Sequence, residues 1–356
     1  MLQRLAEQFA PGDPLSDEQV ALAVGQLVDE EISAGTKAEF LIALSRKGET
    51  VGEIAAFARE LRARSVEPLF DAETRSREIL DVCGTGGDRL GTFNISTTVA
   101  ILVAAAGVAV AKHGNRAITS LAGSADVLEA LGVKIDLEPA EAARWLREHR
   151  FAFFFAPKYH PAFKHIGPAR SLCAERGQRT IFNFLGPLLN PARPSAQLVG
   201  VPRADLCEPI ARVLQSLGVR RGMVVSGRAK STADEAPGFL DELSTLGETH
   251  VAEFYQDRGF MCAVMSPDGF PLQRATLADL AGSDRETNAR IVRRLLLNQE
   301  RGPKRDAVLL NAAAALFVAG KCKSLAAGWD LAGELIDSGA ADAKLNELIA
   351  ASVGGV

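Results

Sequence analysis

The sequence predicts an α/β protein: a small all-helical domain, then a larger α/β domain built on a central, mostly parallel sheet. Two patterns carry this expectation. The first 70 residues hold three helix-start signatures, Ser16 with Gln19, Thr36 with Glu39 and Thr50 with Glu53. Each is a hydroxyl three residues before a Glu or Gln, the spacing at which side chain and backbone cap one another. After Pro68 the grammar changes. A short apolar run, Ile79 to Cys83, enters the glycine cluster Gly84-Thr85-Gly86-Gly87-Asp88. A helix-like Ala/Val/Leu segment follows, then a second apolar run from Val108 to Ala111. Strand, glycine loop, helix, strand is the repeating unit of a parallel sheet.

Taken in order, the first predicted helix places Val20, Val24, Leu27 and Val28 on one face. The second does so with Phe40, Leu41 and Leu44 and stops near Gly48; the third with Ile54, Phe57 and Leu61. Helices this short are marginal alone, so they must pack on one another or on a partner. Further strands are expected at Ala152 to Phe155, Gln197 to Val201, Met223 to Ser226 and His250 to Phe254. Helical segments separate several of them and dominate from Thr287 to Leu348. There is no internal repeat or low-complexity tract.

Composition removes several function classes. With 47% hydrophobic and 24% charged residues, the chain of 356 has the ordinary globular mix. A formal net charge of −4 provides no basic field for nucleic acid, so phosphate binding has to be local. The five cysteines, Cys83, Cys173, Cys207, Cys262 and Cys322, are odd in number and lack metal-ligand spacing. They read as reduced thiols in a reducing compartment. Met1 to Ala10 carries Arg4 and Glu7 and no long apolar run, unlike a signal peptide. Val99 to Val110 is too short to span a bilayer. A cytoplasmic location, with no membrane association, is the expectation.

Six clusters have residue types suited to chemistry. In Gly84-Thr85-Gly86-Gly87-Asp88, glycines let backbone N–H groups approach phosphate oxygens, and the following helix adds its positive end. A plain structural turn uses the same residues. No Gly-Lys-Ser/Thr follows, so this is not a P-loop, and it is not the dinucleotide fingerprint either. Asn94, Ser96 and Thr97 stand at the next helix start, where they can cap it, hold phosphate or ligate a hard cation. Lys112-His113-Gly114-Asn115-Arg116 places two cations at a strand's carboxyl end, which suits an anion above the sheet. Gly123-Ser124-Ala125-Asp126 opens another helix. A fifth run extends from Pro157-Lys158-Tyr159-His160-Pro161 through Lys164-His165 to Arg170. The sixth is the pair Asp241-Glu242, with a rival pair at Asp234-Glu235. Adjacent acids beside a phosphate site suit Mg²⁺, which takes a few carboxylates plus water and substrate oxygens.

Together these motifs resemble the anthranilate phosphoribosyltransferase family. The resemblance rests on Asp81-Val82-Cys83-Gly84-Thr85-Gly86-Gly87-Asp88, Thr92-Phe93-Asn94-Ile95-Ser96-Thr97, Lys112-His113-Gly114-Asn115-Arg116 and Gly123-Ser124-Ala125-Asp126. Lys47-Gly48-Glu49-Thr50 matches the helical domain. Arg179-Thr180-Ile181-Phe182-Asn183, Leu185-Gly186-Pro187-Leu188 and Asn190-Pro191 match the middle of the chain. Asn311-Ala312-Ala313-Ala314 and Ala319-Gly320 match the C-terminal helices, so the resemblance covers nearly the whole chain.

The resemblance implies transfer of the phosphoribosyl group of 5-phosphoribosyl 1-pyrophosphate to the amine of anthranilate, with pyrophosphate leaving. It implies that Gly84, Gly87, Asp88, Thr92, Asn94, Ile95, Ser96, Thr97, Lys112, His113, Gly114, Asn115, Arg116, Ser120 and Ser124 bind the phosphoribosyl donor. Gly84, Asn115, His160 and Arg170 would meet anthranilate, while Ser96, Asp241 and Glu242 would hold Mg²⁺. No side chain is implied as general base. It also implies a homodimer through the helical domain. That domain would be residues 1–70 with a returning segment near 166–190, and the α/β domain 71–165 and 191–356. Four departures stand out: Leu121 where the family often has lysine, Ser226 for the usual histidine, a longer segment at 171–178, and an insertion at 228–238. A paralogue with another acceptor, a pyrimidine nucleoside phosphorylase-like enzyme and a non-catalytic nucleic-acid-binding relative are the alternatives.

Overall fold

The computed structural model describes residues 1–7, 9, 13–117, 121–229, 238–256 and 258–354. Helices Leu2–Glu7, Asp17–Val28, Ala34–Lys47 and Val51–Arg62 open the chain. Ser16 and Thr50 form the expected reciprocal caps with Gln19 and Glu53. The helix between them starts earlier than its Thr36–Glu39 signature predicts. Ser33 is the cap, and its Oγ accepts from Thr36 N–H at 3.1 Å. An earlier hydroxyl at the right spacing takes the capping role and leaves Thr36 inside the first turn. Gly48 ends this helix at φ +86°, which glycine adopts at little strain. The predicted apolar faces are buried, except that Val28 is only partly so.

A buried ion pair that sequence reading did not single out holds two of these helices together. Lys47 Nζ lies 2.8 Å from Glu53 Oε2, with both side chains essentially inaccessible. Breaking such a pair on one side leaves an uncompensated buried charge, about 3–5 kcal/mol. Lys47→Met should therefore lower stability by more than Lys47→Met with Glu53→Gln together. Chemical denaturation of the two variants measures the difference.

The sheet has eight strands: β1 (Ile79–Gly84), β2 (Ala109–Gly114), β3 (Phe151–Phe155), β4 (Ala196–Gly200), β5 (Arg221–Ala229), β6 (Gly238–Leu240), β7 (Thr249–Tyr255) and β8 (Gly259–Met265). Their order is β3-β2-β1-β4-β5-β7-β8, with β6 beside the far end of β5. The first five run parallel, and β6, β7 and β8 pair antiparallel. Strands buried on both faces read as unbroken apolar runs, which is why β1 and β3 were legible. β2 runs past the predicted Ala111 through Lys112 and His113 to Gly114. Lys112 is buried inside it, so its polarity did not mark the strand's end. β6 and β8 are additional. β8, Gly-Phe-Met-Cys-Ala-Val-Met, lacks the polar alternation that would signal a strand.

Helices Ile95–Ala105 and Pro303–Val318 belong to an apolar core that includes β1, β2 and β3. A second core joins the N-terminal helices, residues from Ile166 to Leu189 and the helix Cys207–Ser216 to Val199, Val224 and Phe254 of the sheet. The helix Gly167–Glu175 lies against Ala34–Lys47, where Lys37 Nζ donates to His165 O at 2.9 Å. Among the described residues no helix is long and apolar enough to cross a membrane.

Candidate functional site

β1, β2 and β4 are parallel neighbours, so their carboxyl ends open on one edge. The loop leaving β1 turns through Gly86 at φ +73° and Gly87 at φ +83°. An L side chain rarely adopts these angles, so the loop requires glycine. The helix Ile95–Ala105 follows, with Asn94 at its cap position but no side-chain capping bond. Asn94 instead bridges outward: its Nδ2 donates to Ala122 O at 3.2 Å and its Oδ1 accepts from Asn288 Nδ2 at 2.9 Å. At this helix start the Ser96 N–H donates to Glu242 Oε1 at 3.2 Å. A carboxylate from a distant segment thus does the work expected of a local hydroxyl, and it sits at the favourable end of the helix dipole. Thr97 Oγ1 is buried without a partner among the described residues.

The acid pair crosses the same edge. Asp241 Oδ2 accepts from Gly86 N at 2.7 Å. The fit leaves no room for a β-carbon beneath it. One built on Gly200 would fall 1.5 Å from Asp241 O, and one on Gly84 would fall 2.1 Å from Asp241 Oδ2. Burial, then the Asp88 carboxyl beside it, pushes Asp241 up to about 7. Burial and then Asp241 push Glu242 well above the usual carboxylate range, against the pull of Lys112. Burial also raises Asp88. Lys112 donates to Val82 O at 2.7 Å and to Ser96 Oγ at 3.3 Å, and burial lowers its ammonium. This corner therefore holds more acid than base, in hard oxygen ligands that suit a divalent cation. Among the described residues no three His, Cys, Asp or Glu side chains converge on one metal position, so the ligand set is open.

Beside it lies a cavity of about 210 Å³. Gly84, Asn115, His160 and Arg170, the four residues expected at the acceptor, all line it. Arg170 stacks on Phe182 at 5.6 Å, and burial lowers its guanidinium. It makes no ion pair with any of the described residues, so a largely buried fork faces the cavity unmatched. Arg176, a second arginine in the longer 171–178 segment, is exposed and lines a different groove with Arg46 and Gln178.

His113 and His160 pack edge to face at 5.2 Å. The His113 Nδ1–H points to Gly186 O at 3.2 Å. Burial pushes His160 down to about 4, and burial with His160 next to it holds His113 well below the ordinary imidazole range. Both are neutral at pH 7. A depressed folded-state pKa contributes stability that is complete above the unfolded value and is lost as pH falls through the folded one. Stability should therefore decline from about pH 6.5 to about pH 4, His160 alone accounting for on the order of 3 kcal/mol. Denaturation midpoints of wild type and His160→Phe across that window check it, because the variant should show a flatter profile.

The remaining expected residues divide. Arg116 does not offer a free cation; it pairs with Asp126 at 3.0 Å and Glu129 at 2.8 Å. Ser124 Oγ lies 3.4 Å from Asn115 O. Ile95 is buried, and Thr92 bridges to Ala281. Ser120 and the rival pair Asp234-Glu235 lie outside the described residues. Lys158 and Tyr159 are taken up structurally, by Glu138 and by Leu137 O. Sequence reading assigned no role to Asp81 or Asn190. Asp81 is fully buried and accepts from Asn190 Nδ2 at 2.8 Å and from His113 N at 3.3 Å, bracing β1 against β2. A charged residue within an apolar strand was the available signal.

Residues 76–342 match the family model described as "Glycosyl transferase family, a/b domain", and residues 2–65 the one described as "Glycosyl transferase family, helical bundle domain". The anthranilate phosphoribosyltransferase of Lacticaseibacillus casei is 44% identical over 99% of this chain and 98% of its own length. That of Petrotoga mobilis is 43% identical over 98% and 96%. The crystal structure of the Thermus thermophilus enzyme superposes with a TM-score of 0.85 at 41% identity over 99% of both chains. The Saccharomyces cerevisiae enzyme in complex with PRPP and Mg superposes at 0.86, with 25% identity over 99% of this chain and 98% of that one.

Proposed function

The chain belongs to the anthranilate phosphoribosyltransferase family, and we propose that it transfers the phosphoribosyl group of 5-phosphoribosyl 1-pyrophosphate to anthranilate, releasing pyrophosphate, in tryptophan biosynthesis. One observation carries the assignment to this site. Gly84 lines the acceptor cavity, and its missing β-carbon makes the room that Asp241 fills. The two half-sites therefore share an atom's width of space at the end of β1.

The donor's phosphates and ribose are assigned to Gly84, Gly87, Asp88, Thr92, Asn94, Ser96, Thr97, Lys112 and Ser124 on that edge. Asp241, Glu242 and the Ser96 hydroxyl are the groups that would hold Mg²⁺. When bound, the metal neutralises charge on the leaving pyrophosphate. On the acceptor side, Arg170 matches the anthranilate carboxylate with a planar fork. Fixing that carboxylate aims the amine, and orientation is the main requirement for a weak nucleophile. As the ribosyl carbon becomes cation-like, the neutral His113 and His160 add no opposing positive charge to the cavity. No strong base is needed for such a step.

The helical segment 1–70 with 166–190 forms one domain in this reading and 71–165 with 191–356 the other. The protein acts as a homodimer through the helical domain, in the cytoplasm, without nucleic acid. Incubating the protein with anthranilate, phosphoribosyl pyrophosphate and Mg²⁺ should consume anthranilate fluorescence. Failure to do so, with pyrimidine nucleoside phosphorolysis present instead, would overturn the assignment. Gly87→Val forces a β-branched residue to φ +83° in the phosphate loop. It should raise the donor KM or abolish turnover while anthranilate handling barely changes. A lowered melting temperature with donor binding intact would mark the loop as a structural turn.

A further inference from the structure

Asp241 and Glu242 lie just past the end of β6, on a stretch with no sheet ladder of its own before β7 begins at Thr249. The stretch is held partly by its own Ser244, whose Oγ accepts from Leu246 N at 3.0 Å and donates to Arg228 O at 2.7 Å, and partly by a residue far away in sequence. Asn311 is fully buried on the helix Pro303–Val318, in the Asn-Ala-Ala-Ala motif that the proposed chemistry leaves unused. Its Oδ1 accepts from Leu243 N at 2.9 Å, and its Nδ2 donates to Leu243 O at 3.0 Å. The carboxamide thus pairs with Leu243 as a neighbouring strand would, on the residue directly after Glu242. Its second Nδ2 proton reaches Ala307 O at 2.9 Å, which locks the amide to its own helix. On the other side the chain is pressed against glycines, since a β-carbon at Gly227 would fall 2.4 Å from Glu242 O.

We propose that Asn311 is a positioning residue for the metal-binding acid pair: its carboxamide holds the main chain at Leu243 so that the Asp241 and Glu242 carboxylates stay on Gly86 N and Ser96 N. This rests on the reading that the pair binds Mg²⁺. A polar side chain whose hydrogen bonds reach across to a loop is costly to place among alanines and leucines unless those bonds are needed. Groups that orient metal ligands typically change metal affinity by about 10–100-fold when removed. Leucine at 311 would conserve much of the volume while leaving the Leu243 N–H and C=O unpaired.

The experiment titrates Mg²⁺ calorimetrically into the protein in the presence of inorganic pyrophosphate, alongside metal-free melting curves. It compares wild type, Asn311→Leu, Asn311→Ser and the double variant Asp241→Asn/Glu242→Gln. We expect Asn311→Leu to weaken Mg²⁺ binding by about tenfold or more. Asn311→Ser should weaken it less. In turnover, the Mg²⁺ concentration for half-maximal activity should rise while the anthranilate KM stays put. If the Leu variant does not fold, the Ser variant decides by the same measures. A lowered melting temperature with wild-type Mg²⁺ binding in the Asn311 variants, while the acid double variant loses the metal, would overturn the positioning role alone. Unchanged Mg²⁺ binding in the acid double variant would instead overturn the reading on which it rests.

Discussion

Asp241→Asn with Glu242→Gln should lower kcat/KM by roughly 10³-fold and leave the metal-free protein at least as stable as wild type. The first effect follows from the proposed role. Neutral amides are poor ligands for Mg²⁺, and a metal on the leaving group supplies several kcal/mol of charge stabilisation. The second follows from the geometry. Asp88, Asp241 and Glu242 crowd one corner, and Lys112 is the cation that opposes them. Crowding these acids in a buried corner makes ionising them costly, which is what raises Asp241 and Glu242, and the amides remove that cost. Asn at 241 can still accept from Gly86 N, and Gln at 242 from Ser96 N, so neither backbone donor need be stranded. Steady-state kinetics at limiting Mg²⁺ and metal-free melting curves test both halves. Wild-type turnover would mark the pair as structural and move attention to Asp234-Glu235. A large drop in melting temperature would mean that the acids hold the loop rather than the metal.

How much of this site was legible follows from how local each signal is. The glycine loop after β1 was, because positive φ at Gly86 and Gly87 demands residues that name themselves. The helix faces around Val24, Leu44 and Phe57 were too, because burial has a period. The contact of Asp241 with Gly86 spans 155 residues, and nothing in either segment encodes the other. Only the resemblance linked them. The same holds for the capping of Ile95–Ala105 by Glu242, where the local residues pointed to Asn94, Ser96 or Thr97. Asn311 stood out as part of a motif, but its partner is a backbone amide, and backbone amides leave no trace in a sequence. Lys112 misled only about where β2 ends: a lysine suggests the strand has stopped, yet the strand continues through it and its ammonium is buried between Val82 O and Ser96 Oγ. Of the four departures from the family pattern, Leu121 is exposed and Ser226 is buried with its hydroxyl unpartnered among the described residues, and nothing in the structure explains either.

Arg170→Ala should raise the anthranilate KM by about ten- to a hundredfold and leave the phosphoribosyl pyrophosphate KM nearly unchanged. A charge-assisted hydrogen bond contributes about 1.5–3 kcal/mol, and about 1.4 kcal/mol is a factor of ten in affinity. Arg170 lies in the acceptor cavity, stacked on Phe182, while the donor loops cluster around Gly86 and Ser96. That separation is what should split the two KM values. Arg170→Lys is the sharper variant. It keeps the positive charge but loses the planar fork and the ring stacking, so it should recover only a small part of the lost affinity. Full recovery by lysine would mean that Arg170 supplies only a general positive field. Arg176→Ala serves as the control, because Arg176 is exposed and lines another groove. If Arg176→Ala raises the anthranilate KM and Arg170→Ala does not, the acceptor carboxylate is held elsewhere, and the cavity beside Gly84 is not its site.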